Sequence, residues 1–321
     1  MGKLKVASLF CGCGGTDVGL LGGFDFLSKH YAKNSLEIVY ANDIDENACA
    51  IFERNFGIKP DSRDIRSIKP EEIPDFDILT GGFPCQAFSI IAQNPKRLGV
   101  KDDRGKLFLE MCRILRKKQP KCFIAENVKG ILSANNKSAF PLIIQEFNES
   151  GYNVSYRLLN AVNFGVPQKR ERVIIVGIHK DLEKVFDFSC LPQEGSIPIA
   201  TLSQVIEKNV PEKYYFSKKA VDGMMKKRNL MNKGRAQDIS QPCNTVGAHL
   251  AKVSLNSTDP VLLEGERYRR FTPREVARIQ SFPESFELVG SEGAQYRALG
   301  NAIAPVMFWY IANNVAELIN S

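Results

Sequence analysis

Short apolar runs rich in β-branched and aromatic residues alternate with longer amphipathic stretches through the first half of the chain. The runs at Lys5–Phe10, Glu37–Asn42, Phe76–Thr80, Cys122–Glu126, Ser155–Val162 and Val173–His179 predict strands. The stretches Glu46–Asn55, Lys106–Lys118 and Ser138–Ser150 predict helices between them. Strand–helix alternation of this kind predicts an α/β fold with a doubly wound, mostly parallel sheet covered by helices on both faces. Such sheets bind ligands at the carboxyl ends of their strands, so the residues that follow each strand matter most.

Beyond residue 180 the alternation stops. Residues 181–265 read as irregular, punctuated by Pro192, Pro198, Pro211, Pro242 and Pro260. Regularity returns at Thr272-Pro273-Arg274-Glu275, which has the pattern of a helix start: Thr as N-cap, Pro in the first turn, Glu three residues on. A last helix is predicted over Pro305–Ile319. This organisation suggests a catalytic domain of residues 1–180 plus 290–321 and a second, smaller domain of residues 181–289.

Chemistry-bearing residues gather after the strands. The first strand runs into Phe10-Cys11-Gly12-Cys13-Gly14-Gly15, a glycine turn that allows close backbone approach to a ligand. The second ends in Asn42-Asp43-Ile44, an acid placed to bind ribose hydroxyls beside an apolar surface for a base. Asp64-Ile65 follows the next short segment. Together these suggest a nucleoside-containing cofactor without saying which. After Phe76–Thr80 comes Gly81-Gly82-Phe83-Pro84-Cys85-Gln86-Ala87-Phe88-Ser89, which exposes a cysteine at the sheet edge. Glu126 closes an apolar strand where an unpaired buried charge would be costly. Gln168-Lys169-Arg170-Glu171-Arg172 brings guanidinium groups; by itself it reads as a surface charge cluster.

Composition adds three restraints. The eight cysteines form no Cys-x-x-Cys pair and His30, His179 and His249 lie far apart, so no metal site is expected. Cys49, Cys112, Cys122 and Cys190 read as buried structural residues. Between Lys213 and Arg235 eight basic residues, Lys226, Lys227 and Arg228 among them, stand against the single acid Asp222. That window is either a solvated lysine-rich face or a surface for a polyanion. No apolar run is long enough to span a bilayer and the first residues lack a signal-peptide pattern, so a cytoplasmic protein is expected.

Taken in order, the Phe10–Gly15 turn, Asn42-Asp43, Asp64, Gly82-Phe83-Pro84-Cys85-Gln86, Glu126-Asn127-Val128, Gln168–Arg172, Arg269–Glu275 and the Tyr296–Pro305 segment closely resemble the bacterial DNA cytosine-C5 methyltransferases of restriction–modification systems. The resemblance spans nearly the whole chain apart from residues 181–265, where that family carries its target-recognition region. It implies a Rossmann-like methyltransferase fold, S-adenosylmethionine as cofactor and double-stranded DNA as partner. A monomer without metal is expected, with a restriction endonuclease of the same site as a companion in some members.

The resemblance assigns catalysis to Cys85, Glu126, Arg170 and Arg172. It assigns cofactor contacts to Phe10, Gly12, Cys13, Gly14, Gly15, Asp43, Ile44, Asp64, Ile65, Pro84, Leu107, Asn301 and Ala302. Gln86, Ser89 and Thr245 fall on the DNA side, joined by Lys226, Lys227 and Arg228 from the basic window. Two positions depart from the family pattern: Asp43 stands where Glu is usual, and Ile44 where many members have an aromatic. In the implied chemistry a thiolate adds to C6 of a flipped-out cytosine and makes C5 nucleophilic. Gln86–Arg104 reads as a loop that closes over that base. The competing readings are the same chemistry on tRNA, a non-catalytic DNA-binding relative, and a dehydrogenase prompted by the glycine turn.

Overall fold

The computed structural model describes residues 2–84, 107–134, 137–225, 236–252 and 259–321. Its centre is a six-stranded sheet: β1 (Leu4–Leu9), β2 (Leu36–Asn42), β3 (Ile78–Gly81), β4 (Cys122–Val128), β5 (Tyr152–Asn160) and β6 (Glu171–His179), in the order β2-β1-β3-β4-β6-β5. The pairs β1–β2, β1–β3 and β3–β4 are parallel, whereas β6 runs antiparallel to both neighbours. The mostly parallel sheet expected from the alternation is present, with one reversed strand that periodicity does not reveal.

Strand alternation sorts the core into two layers. Val6, Ile78, Ile124 and Ile174 point to one face, where α1 (Gly15–Leu21) and the C-terminal helix pack. Ala7, Leu79, Phe123 and Ile175 point to the other, under α3 (Leu107–Lys118) and α4 (Ala139–Glu149). A sheet buried on both faces needs near-continuous apolar strands, which is why these segments read so clearly in the sequence. α2 (Glu46–Phe56) follows β2 and is capped by Asp45, whose carboxylate accepts from Asn47 N at 3.0 Å.

Residues 181–252 hold short helical turns and one helix, α5 (Lys218–Met225), among their described parts. Their apolar residues Phe186, Leu202, Val205, Val246 and Leu250 share one core with Val276, Ile279, Leu299 and Ile311. Those come from α6 (Pro273–Ile279), α7 (Glu292–Asn301) and α8 (Pro305–Asn320). α6 starts with the capping box read from its sequence: Thr272 Oγ1 accepts from Glu275 N at 3.1 Å and Glu275 accepts from Thr272 N at 2.8 Å. Glu275 is also fully buried against Arg269, with both guanidinium bonds at 2.8 Å, and accepts from Glu207 N. Breaking such a pair from one side leaves a buried charge, a loss of about 3–5 kcal/mol.

Of the cysteines expected to be buried, Cys49, Cys112 and Cys122 are, but Cys190 is exposed at the end of a short helical turn. No single described helix is long and apolar enough to cross a membrane.

Candidate active site

The chain passes from β1 to β2 on one side of the sheet and then to β3 on the other, so a crevice opens at the carboxyl ends of β1 and β3. A cavity of about 650 Å³ lies there, lined by Phe10, Gly12, Asp43, Ile65, Glu126 and Asn301 among others. That size suits a nucleoside-containing ligand.

Its floor is the glycine turn. Phe10 leaves β1 at φ +52°, and Gly12, at φ +54°, takes the left-handed conformation that glycine adopts without strain. Gly12 N then donates to Asp43 Oδ2 at 2.8 Å, while Asp45 N donates to Oδ1 at 2.9 Å. Asp43 thereby joins the turn after β1 to the turn after β2, and each carboxylate oxygen keeps a lone pair for a ribose hydroxyl. Burial raises its pKa, against the lowering effect of these two amides. Ile44 is 67% exposed at the lip and Ile65 is buried at 3%, so a planar base has apolar surface to cover. Asp64 is held by Arg66 through Nε at 3.0 Å and Nη2 at 2.5 Å, which lowers its pKa.

Of the residues assigned to cofactor contacts, Phe10, Gly12, Gly15, Asp43, Ile44, Asp64, Ile65, Pro84, Leu107, Asn301 and Ala302 line the cavity. Two expected contacts do not. Cys13 is a core residue, 1% exposed, its thiol pushed up to about 12 chiefly by burial. Gly14 is the N-cap of α1 and turns its Cα towards Phe56 and Phe52. Pocket residues the sequence reading missed include Thr16, Asn42, Arg63, Arg66, Ala298 and Ile303. Asn42 was legible as a strand end, but its amide is spent on the carbonyls of Asp61 and Arg63.

The carboxyl end of β4 opens onto the same cavity. Glu126 and Arg172 form an ion pair at 2.7 Å, with side chains 13% and 12% exposed. The reversed direction of β6 makes this contact: its first residues start where β4 ends, pairing Val128 with Arg172 and Glu126 with Ile174. In a parallel β6 those residues would lie at the opposite edge. Desolvation is the largest influence on Glu126 and raises its pKa; Arg172 and then Arg170 oppose it. Burial thus favours a carboxylic acid able to donate a proton in a site that also holds a guanidinium. Arg172 Nη1 donates to Glu171 O at 2.8 Å. The Arg172 guanidinium is therefore engaged both with Glu126 and with the carbonyl of its neighbour.

Arg170 corrects the sequence reading more strongly. It is 1% exposed and does not line the cavity. Its guanidinium donates to three backbone carbonyls: Val246 at 3.1 Å, Gly300 at 2.9 Å and Ala302 at 2.8 Å. Beside it Gln168 accepts from Val246 N and donates to Gln280, which in turn donates to Leu299 O. Here the backbones of Gly300 and Gly247 cross so closely that a Cβ on Gly300 would lie 2.3 Å from Gly247 C. Arg170 therefore holds the cavity wall around Asn301. We expect Arg170→Lys, with one donor centre for three carbonyls, to raise KM for the ligand of this cavity about 10-fold and to lower Tm, read by initial rates and thermal melts. A fall in kcat at unchanged KM would restore the direct catalytic role.

Thr245 is exposed and donates to Lys169 O at 2.7 Å, which places it next to this wall. Cys85, Gln86, Ser89, Lys226, Lys227 and Arg228, and the expected closing loop Gln86–Arg104, lie outside the described residues. Among the described residues no group of His, Cys, Asp or Glu side chains is arranged to hold a metal ion.

Comparison with known proteins agrees with this geometry. The model of the family described as C-5 cytosine-specific DNA methylase matches residues 4–317. The chain is 38% identical over 345 residues to the type II methyltransferase M.NgoFVII of Neisseria gonorrhoeae, covering 99% of this chain and 88% of that protein. It is 35% identical over 327 residues to the type II methyltransferase M1.ScrFI of Lactococcus lactis subsp. cremoris, covering 99% and 79%. In fold it is similar to the Dnmt2 methyltransferase of S. pombe, with a TM-score of 0.76, 21% identity and 99% of each chain covered. A Rossmann-like sheet, a nucleoside-sized cavity and a match over almost the full length thus converge, and the chain belongs to the C-5 cytosine-specific DNA methylase family.

Proposed function

We propose that the protein methylates C5 of a flipped-out cytosine within a specific sequence of duplex DNA, with Cys85 as nucleophile. The observation that carries this reading is the Glu126–Arg172 pair, which opens into the same cavity as Asp43 and Pro84, one residue before Cys85. S-adenosylmethionine fits the residues present: Asp43 for the ribose hydroxyls, Ile44 and Ile65 around the adenine, and the glycine turn with Asn301 and Ala302 for the remainder. When bound, it supplies the electrophilic methyl group.

The chain's own residues do the rest. The Cys85 thiolate adds to C6, and the electron pair displaced from the C5–C6 bond is taken up towards N3. Glu126 donates a proton at N3 and accepts from the exocyclic amine, so charge does not build up in the ring. Arg172 keeps the carboxyl oriented and offers a second donor to the base. C5 then forms its bond to the methyl group, and a water takes the C5 proton. The C5–H electron pair restores the C5–C6 double bond, the thiolate leaves C6 with the electron pair of the C–S bond, and N3 returns its proton to Glu126. Flipping the base out of the stack costs roughly a few kcal/mol.

We assign sequence reading to the region spanning residues 181–289, with phosphate contacts from Lys226, Lys227 and Arg228 and from Thr245, Gln86 and Ser89 beside the flipped base. The protein is proposed to act as a cytoplasmic monomer, with a cognate endonuclease where it belongs to a restriction–modification pair. Replacing residues 181–265 by the equivalent region of a relative is expected to switch the methylated site while Cys85 chemistry continues. Bisulfite sequencing of plasmid DNA from expressing cells reads both outcomes. An active chimaera that still modifies the original site would place recognition elsewhere.

A further inference from the structure

β3 stops at Gly81, paired with Ala125 of β4, and the chain then runs through Gly82, Phe83 and Pro84 to Cys85. Three residues thus separate the last strand pairing from Cys85, and Pro84 has no N–H with which to extend the ladder. A single side chain takes over that task. Asn127, 2% exposed and next to Glu126 on β4, donates from Nδ2 to Phe83 O at 2.9 Å and accepts from Val128 N at its Oδ1, also at 2.9 Å. Its own backbone is held in register with Val173 of β6.

The segment it fixes has little freedom left. Phe83 is 3% exposed and its ring packs against Phe108 and Phe147. Gly82 passes so close to the catalytic carboxyl that a Cβ there would lie 3.1 Å from Glu126 Oε2. The residue that donates to the nucleophile's strand extension is therefore the covalent neighbour of the acid, and one buried amide sets the spacing between them.

We propose that Asn127 is a positioning residue for methyl transfer, holding the Phe83 carbonyl, two residues before Cys85 in sequence, against the strand that carries Glu126. The proposal rests on Cys85 being the nucleophile. Asparagine is required because the site needs a donor and an acceptor in one small planar group. A carboxylate keeps the acceptor for Val128 N–H but sets an oxygen against Phe83 O, and an aliphatic side chain leaves both backbone groups unpaired. A displacement of about 1 Å between reacting groups costs on the order of 10²-fold in rate.

The test compares Asn127→Asp and Asn127→Ser with wild type on duplex DNA containing 5-fluorocytosine at saturating S-adenosylmethionine, measuring the rate of covalent adduct formation. Calorimetric S-adenosylmethionine affinity and thermal melts are recorded alongside. For Asn127→Asp we expect adduct formation slowed about 10²-fold at pH 8, with cofactor affinity within about two-fold of wild type. The deficit relative to wild type should shrink as pH falls, because a protonated carboxyl regains an O–H that can donate to Phe83 O. Asn127→Ser should be slowed by a similar factor without that pH dependence. Adduct formation at the wild-type rate in either folded variant overturns the proposal, as does cofactor affinity that falls in step with the rate, or a failure of both variants to fold. A wild-type protein that forms no adduct overturns the Cys85 reading itself, and the positioning role with it.

Discussion

Cys85→Ala is expected to abolish methyl transfer while leaving S-adenosylmethionine binding within about two-fold of wild type. The cavity that would hold the cofactor is built from Asp43, Ile44, Ile65, the glycine turn and the Asn301 wall, none of which needs the thiol. The methyl-accepting step does need it, because C5 of cytosine becomes a competent nucleophile only after C6 has been attacked. An ordinary thiol has a pKa of about 8.5, so a thiolate in useful amounts at neutral pH calls for cationic or dipolar help. Activity should accordingly rise with pH on the acid side as Cys85 deprotonates. Turnover of the alanine variant above background, measured with labelled cofactor on duplex DNA, would end the covalent mechanism.

Glu126→Gln should lower kcat by about 10²-fold or more, a typical loss for a positioned acid–base group, with a much smaller change in DNA affinity. The amide preserves size and can still meet Arg172 through its oxygen, but it has no proton to deliver to N3. The pH dependence follows from the raised pKa of this carboxyl. Below its folded pKa the group is a neutral acid and can donate; as pH rises through that value the proton is lost and so is the donor. Wild-type kcat should therefore fall on the alkaline side, and the glutamine variant should lack that limb. Unchanged kcat in the variant would reduce Glu126 to a strand-end acid paired with Arg172.

Much of this site was legible because several of its residues stand at or after the ends of apolar strands. Phe10, Asp43, Glu126 and the approach to Cys85 are all read from that rule, and all but Cys85 are seen at the cavity. What the pattern could not give was direction. Val173–His179 has the composition of a parallel core strand, yet it runs antiparallel, and only this reversal brings Arg172 to Glu126. Nor could spacing separate Arg170 from Arg172. The two lie two residues apart and were both read as catalytic, but the side chain of Arg170 is committed to carbonyls 76, 130 and 132 residues away in sequence. Asp17, in the first turn of α1, carries no signal in the sequence pattern. It is fully buried, and desolvation raises its pKa to about 7 against the lowering effect of Ser8.

The most direct measurement is mass spectrometry of the protein trapped on duplex DNA carrying 5-fluorocytosine at its target site, in the presence of S-adenosylmethionine. Fluorine cannot leave C5 as a proton does, so elimination of the thiol stalls and the adduct persists. The mechanism proposed here predicts one covalent link, through the sulfur of Cys85, to a base that has gained a methyl group. A stable complex without a covalent link, or a link through any other residue, would contradict it.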